Sequence, residues 1–274
     1  MKRAIVALAD FLAGMARAPR LSAHAAAALP YRNRGFAFGR RQPRPAEGAE
    51  FLKPASSNPL AQYFESHKTG PGIFKWDHYF DIYHRHLNKF VGQAVHLLEV
   101  GIYSGGSLQM WSNYLGEKAH IYGVDIEEAC RAYESEKTSI FIGDQSDRNL
   151  WRQIKQAAPT IDVVLDDGGH LPEQQIATFE EMLPHIRPGG VYICEDIHGS
   201  NNRFAAYLQG LSNNLNSGTL VSRPNKELSV DPSPFQSSIH AIHFYPFVAV
   251  VEVNPAPVLT IQARRHGSDW QPFF

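Results

Sequence analysis

Several short apolar runs in this chain end abruptly in acidic residues, and this pattern constrains its fold more than any other feature. Residues 162–170 read D-V-V-L-D-D-G-G-H, and residues 190–196 read G-V-Y-I-C-E-D after a Pro-Gly-Gly turn. A continuous run of Val, Ile and Leu is typical of a parallel strand that is buried on both faces. In an open α/β sheet, ligands bind just beyond the carboxyl ends of such strands. We therefore expect one crevice to contain the side chains of Asp166, Asp167, His170, Glu195 and Asp196.

Strand-like and helix-like segments alternate through the middle of the chain. The predicted strands are A-V-H-L-L-E-V, H-I-Y-G-V-D-I, S-I-F-I-G-D, I-D-V-V-L-D and V-Y-I-C-E-D, with helices near residues 108–115, 147–157 and 173–186. Two later runs, S-I-H-A-I-H-F and V-A-V-V-E-V, are predicted to be hairpin arms joined through Tyr245 and Pro246. This order predicts an α/β fold: a doubly wound, Rossmann-like, seven-stranded and mostly parallel sheet with a C-terminal antiparallel hairpin.

Four segments are expected along the chain. They are a basic N-terminal arm over residues 1–50, a helical lead-in over 51–92, the main α/β domain over 93–255 and a tail over 256–274. The arm is rich in Arg and Ala and poor in acid, so it is predicted to be either a disordered extension or an organellar targeting segment.

Within the lead-in, residues 73–91 place aromatic and aliphatic side chains at helical spacing. This spacing predicts an amphipathic helix packed ahead of the sheet. Its histidines do not form a ligand set on one helix face, so we expect a solvated face to carry His78, His84 and His86.

The distribution of charge limits the classes of partner. Residues 1–46 contain nine Lys and Arg residues against one acid, Asp10, although the chain as a whole has 26 basic and 27 acidic residues. The remainder is therefore acidic, which argues against broad nucleic-acid binding, because phosphate contacts need clustered Lys and Arg. The two cysteines, Cys130 and Cys194, lack a zinc-binding spacing and favour a reducing compartment. We expect a cytoplasmic location, with organellar targeting as the alternative.

The loop after the first predicted strand reads G-I-Y-S-G-G-S and matches neither a dinucleotide fingerprint nor a P-loop. Its glycines, Gly101, Gly105 and Gly106, allow a tight turn and a close approach of the backbone to a ligand. Asp125, at the end of the second strand, stands where a carboxylate could accept hydrogen bonds from a ribose diol. With Asp144 one strand further on, this pattern predicts an adenosine site without a pyrophosphate cradle. Such a site favours S-adenosylmethionine over NAD.

These motifs, in this order, resemble the class I methyltransferases. They are E-V-G-I-Y-S-G-G-S-L-Q-M-W, Y-G-V-D-I, G-D-Q-S-D, D-V-V-L-D-D-G-G-H and R-P-G-G-V-Y-I-C-E-D. More narrowly, they are similar to the metal-dependent macrolide-sugar O-methyltransferases of the macrocin and mycinamicin type. The K-W-D-H-Y segment and the I-H-F-Y element also look like that group, and the resemblance covers residues 73–253.

The resemblance implies a role for each matching position. His170 would be the general base, with His198 as the rival base or an additional ligand. A Mg²⁺ ion would be bound by Asp167, Glu195 and Asp196. S-adenosylmethionine would be held by Glu99, Gly101, Tyr103, Asp125, Asp144, Gln145 and Asp166. The third position of the family's D-D-G-S-H motif is Gly169 here, which removes a hydroxyl group but no ligand.

The expected activity is therefore Mg²⁺-dependent methylation of a sugar or polyol hydroxyl on a small molecule, in natural-product biosynthesis. The acceptor would be glycosylated, and homo-oligomer formation stays open. The alternatives are a catechol-type O-methyltransferase and a non-catalytic S-adenosylmethionine-binding partner protein. Residues 198–238 are predicted to form a partly mobile lid over the acceptor, in which Phe204, Tyr207 and Phe235 keep the aromatic option open. His240 and His243 are predicted to be packing residues at the sheet edge.

Overall fold

The structure is a computed structural model that describes residues 19–43, 57–158, 160–200, 202–218, 221–222 and 228–269. The chain divides into two compact units, residues 1–51 and residues 52–274. In the first unit, helix α1 spans Pro19–Gly39. The rest of the predicted arm, residues 1–18 and 44–50, lies outside the described residues. No helix in the described part of the chain is both long and apolar enough to span a membrane.

The second unit contains the remaining helices and strands. In chain order they are α2 (Pro59–Ser66), α3 (Tyr79–Leu87), β1 (His96–Val100), α4 (Gly106–Leu115), β2 (His120–Asp125), β3 (Thr138–Ile142), α5 (Arg148–Ala157), β4 (Ile161–Asp166), α6 (Pro172–Met182), β5 (Ile186–Cys194), α7 (Arg203–Leu215), β6 (Val221–Ser222), β7 (Leu228–Val230), α8 (Pro234–Ser238), β8 (Ile239–Tyr245), β9 (Val248–Val253) and β10 (Ile261–Ala263).

The main sheet has seven strands in the order β3-β2-β1-β4-β5-β9-β8. Strands β1 to β5 pair in parallel, whereas β9 pairs antiparallel with both β5 and β8. The predicted Rossmann-like fold with its C-terminal hairpin is confirmed. A second, three-stranded antiparallel sheet, in the order β10-β7-β6, was not predicted.

The apolar runs of the sequence are explained by a core on each face of the sheet. In β4, Val163 and Leu165 pack into the core cluster around Trp111, whereas Val164 packs into the cluster around Trp151. All six residues of β4 are buried, so alternate positions have no polar face to present. Asp166 ends the strand at the carboxyl edge of the sheet, whereas Asp162, near the amino end, is buried and paired with Arg187.

The predicted helix over residues 73–91 is wrong in its extent. Helix α3 begins at Tyr79, and the residues before it run without helical structure along the ends of the strands. The reason is that Lys75 and Trp76 bond carboxylates at the sheet edge, which a helix over the whole segment would prevent. The predicted solvated face is also wrong for His86, which is buried and hydrogen-bonded to Glu252.

Two further predictions need correction. The Pro-Gly-Gly segment lies within β5, near its start, and is an irregularity of the strand where its register against β4 shifts. Gly189 takes a φ of +82° there and donates its N–H to the Asn254 carbonyl. The predicted lid contains helix α7, whose Phe204 and Leu208 side chains are buried in the core beside Phe179. This part of the predicted lid therefore packs on the sheet.

Candidate active site

A cavity of about 570 Å³ lies at the carboxyl ends of strands β1 to β5. This volume is within the usual range for a small-molecule site. Nine of the predicted site residues line it: Gly101, Tyr103, Asp125, Asp144, Gln145, Asp167, His170, Glu195 and Asp196. The other two, Glu99 and Asp166, are fully buried beneath it. The structure thus brings the predicted cofactor and metal residues together in one pocket.

The glycine-rich loop forms one wall of the cavity because a carboxylate fixes it from behind. Asp125 Oδ2 accepts hydrogen bonds from the backbone N–H groups of Ile102 and Tyr103, both at 3.0 Å. Gly101 has a φ of +82°, and a Cβ atom there would collide with the carbonyl oxygen of Asp167. Only glycine therefore allows the loop to lie this close to the end of β4.

A second wall follows strand β3. The Ser146 backbone N–H donates to Asp144, and this bond lowers the pKa of the Asp144 carboxyl, so that it is ionised at neutral pH. Gln145 donates to Asp166 at 3.0 Å and accepts from the Gly169 N–H at 2.6 Å. Gln145 therefore connects the wall of the cavity to the D-D-G-G-H loop.

The buried acids behind these walls are strongly perturbed. Burial raises the pKa of Asp166 to about 7, although hydrogen bonds from Tyr192 and Gln145 oppose the shift. Burial also raises the pKa of Glu99, whose Oε2 accepts from Ser107 and whose Oε1 lacks a hydrogen-bond partner among the described residues. Neither carboxylate lies in the wall of the cavity, so any contribution to ligand binding passes through the residues they hold.

The acid and histidine motifs meet at the other side of the cavity. His170 Nε2 lies 3.7 Å from Asp196 Oδ2 and 4.0 Å from Asp167 Oδ1. The Nδ1 atom of His170 is buried and has no hydrogen-bond partner in the described part of the chain. His170 and Asp196 both adopt left-handed backbone conformations, with φ values of 55° and 53°. Such strain in residues other than glycine is concentrated at functional sites.

Lys75 is a member of this cluster that sequence reasoning missed. Its Nζ atom lies 2.5 Å from Asp167 Oδ2 and about 3.1 Å from Glu195 Oε2, and its side chain is 4% exposed. Burial disfavours the ammonium, but the carboxylates of Glu195, Asp167 and Glu99 outweigh it and raise the pKa of Lys75. Burial and Asp167 raise the pKa of Glu195, and the Lys75 charge opposes this shift. Lys75 is therefore the internal counter-ion of the acid cluster.

Helix α3 supplies two tyrosines to the same carboxylates. Tyr83 donates to Glu195 Oε1 at 2.6 Å, and Tyr79 donates to Asp196 Oδ1 at 2.7 Å. The K-W-D-H-Y segment was the sequence feature that could have indicated these contacts. Because the segment was predicted to be part of one continuous helix, its lysine was not assigned to the site. The lead-in thus forms part of the site.

The residues present fit a divalent metal ion. One ligand atom from each of Asp167, His170 and Asp196 can be chosen so that all lie within 4.8 Å of one another. When ionised, the carboxylates of Asp167, Asp196 and Glu195 carry three negative charges; the Lys75 ammonium balances one of them, and a divalent ion would balance the other two. Carboxylate oxygens are the donors that Mg²⁺ prefers. Glu195, however, directs its oxygens to Lys75 and Tyr83, so its predicted role as a metal ligand stays a prediction.

The chain has a Rossmann-like methyltransferase fold, and the cavity lies at the carboxyl edge of its main sheet. Residues 98–197 match the family model described as a methyltransferase domain, and the chain therefore contains such a domain. The chain is 36% identical over 122 residues to demethylmacrocin O-methyltransferase of Streptomyces fradiae, which is 42% of this chain and 30% of that protein. It is 32% identical over 193 residues to mycinamicin VI 2''-O-methyltransferase of Micromonospora griseorubida, covering 62% of this chain and 46% of that protein. The predicted similarity to macrolide-sugar O-methyltransferases is confirmed.

A solved structure supports the same relationship. The MycE methyltransferase from the mycinamycin biosynthetic pathway, in complex with Mg and SAH, superimposes with a TM-score of 0.58 and 27% identity. The match covers 74% of this chain and 55% of that one. The chain spans about half or less of the length of the curated relatives it matches.

Proposed function

We propose that this protein is a Mg²⁺-dependent O-methyltransferase that transfers a methyl group from S-adenosylmethionine to a sugar or polyol hydroxyl of a glycosylated small molecule. One observation carries the proposal: the same cavity contains the glycine-loop wall with Asp125 and the acid cluster with His170. A cofactor held by the first would face an acceptor held by the second. By their names, the two similar proteins described above methylate oxygen atoms of demethylmacrocin and of mycinamicin VI.

The chain's own residues would perform three tasks. Asp125, Asp144 and Gln145 would hold the adenosine part, and the carboxylates of Asp167 and Asp196 would hold the metal ion. When bound, S-adenosylmethionine supplies an electrophilic methyl group, and the ion acidifies an acceptor hydroxyl. His170 would take the proton of the acceptor hydroxyl as its oxygen receives the methyl group, and the departing sulfur would keep the electron pair of its broken bond to carbon. General-base catalysis of this kind contributes roughly 10²–10⁴-fold.

The position of His170 supports this assignment. Its Nε2 atom lies 3.7 Å from Asp196 Oδ2 and 4.0 Å from Asp167 Oδ1, so the base would lie beside an acceptor hydroxyl bound to a metal ion at these carboxylates. Its side chain is 38% exposed, so an acceptor in the cavity can reach it. His198, the rival base, lies 3.4 Å from Asp196 at the rim and is 48% exposed. His170 is the more enclosed of the two, and it also lines the cavity.

An aromatic diol remains a second candidate acceptor because aromatic side chains line the cavity. Phe74 and Trp76 lie there and are 93% and 49% exposed. Phe204, on which the aromatic option was first based, is instead fully buried in the core. Aromatic faces stack on sugar rings as well as on phenols, so the aromatic lining does not favour an aromatic diol over a sugar as the acceptor. We also propose a cytoplasmic location, since Cys130 and Cys194 are free thiols.

The decisive experiment combines binding and turnover. Isothermal titration of S-adenosylmethionine with and without Mg²⁺, on the wild type and on Asp167→Ala, should show cofactor binding by both proteins and Mg²⁺ binding by the wild type only. Methyl transfer is then measured on matched panels of glycosides and catechols. Absence of cofactor binding would overturn the proposal. Cofactor binding without transfer to any acceptor would indicate a non-catalytic partner protein.

A further inference from the structure

Outside the active site, the described residues contain one further group of side chains with metal-ligand chemistry. It consists of His86 on α3, His243 on β8 and Glu252 on β9. One ligand atom from each lies within 4.8 Å of the others. We propose that these three residues form a second divalent-metal site, for a borderline ion such as Zn²⁺, that clamps helix α3 to the β8–β9 hairpin.

The distances between the three side chains are close to those of a bound ion. His86 Nδ1 lies 2.9 Å from Glu252 Oε1, and His243 Nε2 lies 3.1 Å from Glu252 Oε2. Ligand atoms at about 2.1 Å from a tetrahedral zinc ion are roughly 3.4 Å apart. Each of these two nitrogen–oxygen pairs would have to separate by roughly 0.3–0.5 Å to admit the ion, within a set of ligand atoms that already lie within 4.8 Å of one another. It would replace the protons that now lie between them.

The second nitrogen of His86 is positioned as it is in metal sites. His86 Nε2 lies 2.9 Å from the Tyr245 hydroxyl, so that the ring is oriented from its far side. A metal-bound histidine almost always bonds a partner through its other ring nitrogen, which fixes both the tautomer and the ring orientation. Tyr245 would fill this role, and Nδ1 would be left for the ion.

The group is held on regular secondary structure, with one residue on helix α3 and two on the β8–β9 hairpin. His243 and Glu252 lie on the same face of an antiparallel hairpin, because His243 pairs with Val250 and Glu252 is two residues beyond. His86 is 4% exposed, whereas the side chains of His243 and Glu252 are 37% and 21% exposed. An ion can therefore enter from solvent on one side and meet a buried ligand on the other.

The chemistry of the donors selects the kind of ion. Two imidazole nitrogens and one carboxylate suit Zn²⁺ or a neighbouring transition metal, whereas Mg²⁺ prefers oxygen ligands alone. A metal ion binds the neutral form of an imidazole and the ionised form of a carboxylate, so the ion would displace the proton that each histidine now shares with Glu252.

The site would act on the active site through helix α3. Tyr79, Tyr83 and His86 recur at helical spacing along one face, and the two tyrosines donate to Asp196 and Glu195. An ion that holds His86 against the hairpin would therefore fix the register of the tyrosines over the acid cluster.

The test is a Zn²⁺ titration of the EDTA-treated full chain in excess Mg²⁺, followed by isothermal calorimetry and repeated with Co²⁺ by visible absorption. Because the acid cluster could also take Zn²⁺, the titration is repeated on Asp167→Asn. We expect one Zn²⁺ equivalent that persists in Asp167→Asn and raises the unfolding temperature. It should be lost in His243→Asn and in Glu252→Gln, and Tyr245→Phe should bind roughly 10–100-fold more weakly.

His240→Asn is the matched control, because His240 is an exposed histidine on the same strand outside the group. It should bind Zn²⁺ as the wild type does. Absence of an equivalent in the wild type beyond the one lost in Asp167→Asn would overturn the proposal, as would unchanged binding in His243→Asn. His243 is partly exposed, so this variant decides the question even if Glu252→Gln does not fold, and near-ultraviolet circular dichroism verifies that it has folded.

Discussion

Replacing Lys75 by methionine tests whether the lysine is the counter-ion of the acid cluster. Its Nζ atom is within hydrogen-bond distance of Asp167 and Glu195, and all three side chains are largely or fully buried. Removing one partner of a buried ion pair costs about 3–5 kcal/mol, because the other charge is left uncompensated. We expect Lys75→Met to lose about this much free energy of unfolding in EDTA, as measured by urea denaturation at pH 7.5. Lys118→Met, at an exposed lysine, should lose less than about 1 kcal/mol.

The free energies of unfolding of the wild type and of Lys75→Met should also be compared in Mg²⁺, because this comparison tests the role of Lys75 more directly. A ligand at one hundred times its Kd stabilises the folded state by about 2.7 kcal/mol. Because Lys75 and the metal ion neutralise the same carboxylates, Lys75→Met should bind Mg²⁺ more tightly than the wild type. The stability gap between the two proteins should therefore narrow in Mg²⁺. A gap that is absent in EDTA, or one that Mg²⁺ leaves unchanged, would refute the reasoning.

Three further predictions concern individual titratable groups. His170→Ala should reduce turnover roughly 10²–10⁴-fold and leave the Kd for S-adenosylmethionine nearly unchanged. His198→Ala should retain most of the turnover. Equal losses of turnover in both variants would contradict the assignment of His170, rather than His198, as the general base. Asp166 has a raised pKa, so its stabilising contribution is complete below pH 3.9 and is lost as the pH rises through about 7. The unfolding free energy of Asp166→Asn relative to wild type should therefore rise by up to about 4 kcal/mol between pH 4 and pH 7 in urea titrations; a flat difference would argue against the shift. Burial lowers the pKa of His86. The contribution of His86 to stability is therefore present above about pH 6.5 and is lost as the pH falls through the pKa that His86 has in the folded protein. In EDTA, the unfolding temperature of the wild type should therefore fall more on acidification than that of His86→Gln.

The sequence predicted the parts of the fold that depend on burial and chain order. The middle of β4 is apolar on both faces and an acid ends the strand, so the crevice at the carboxyl edge could be located without coordinates. The parallel order with a terminal hairpin followed from the alternation of elements. The start of β5 could not be predicted, because Pro188, Gly189 and Gly190 are turn formers by local preference. Pairing of Gly189 with Asn254 overrides that preference.

The site could be predicted only where its residues follow strands. His170 and Asp196 come directly after β4 and β5, so their meeting follows from the parallel order. Lys75 precedes the sheet, and no period or motif spacing relates it to Asp167, 92 residues later. Likewise, His86 was assigned to a solvated face because Glu252, 166 residues away, could not be placed beside it. Contacts of this kind depend on tertiary packing.

The cofactor side and the acceptor side of the site come from different parts of the chain, so the acceptor preference could change without a change in cofactor binding. The matched methyltransferase domain, residues 98–197, contains the glycine loop, the acids and His170. Lys75, Trp76 and the tyrosines of α3 come from before this domain, and they bond the very carboxylates that a metal ion would need. A domain of this kind could therefore keep its cofactor wall unchanged while the preceding segment sets the charge and the aromatic lining on the acceptor side. It follows that variants of Trp76 should alter the preference among acceptors more than the affinity for S-adenosylmethionine, since Trp76 bonds Asp196 and not the glycine loop.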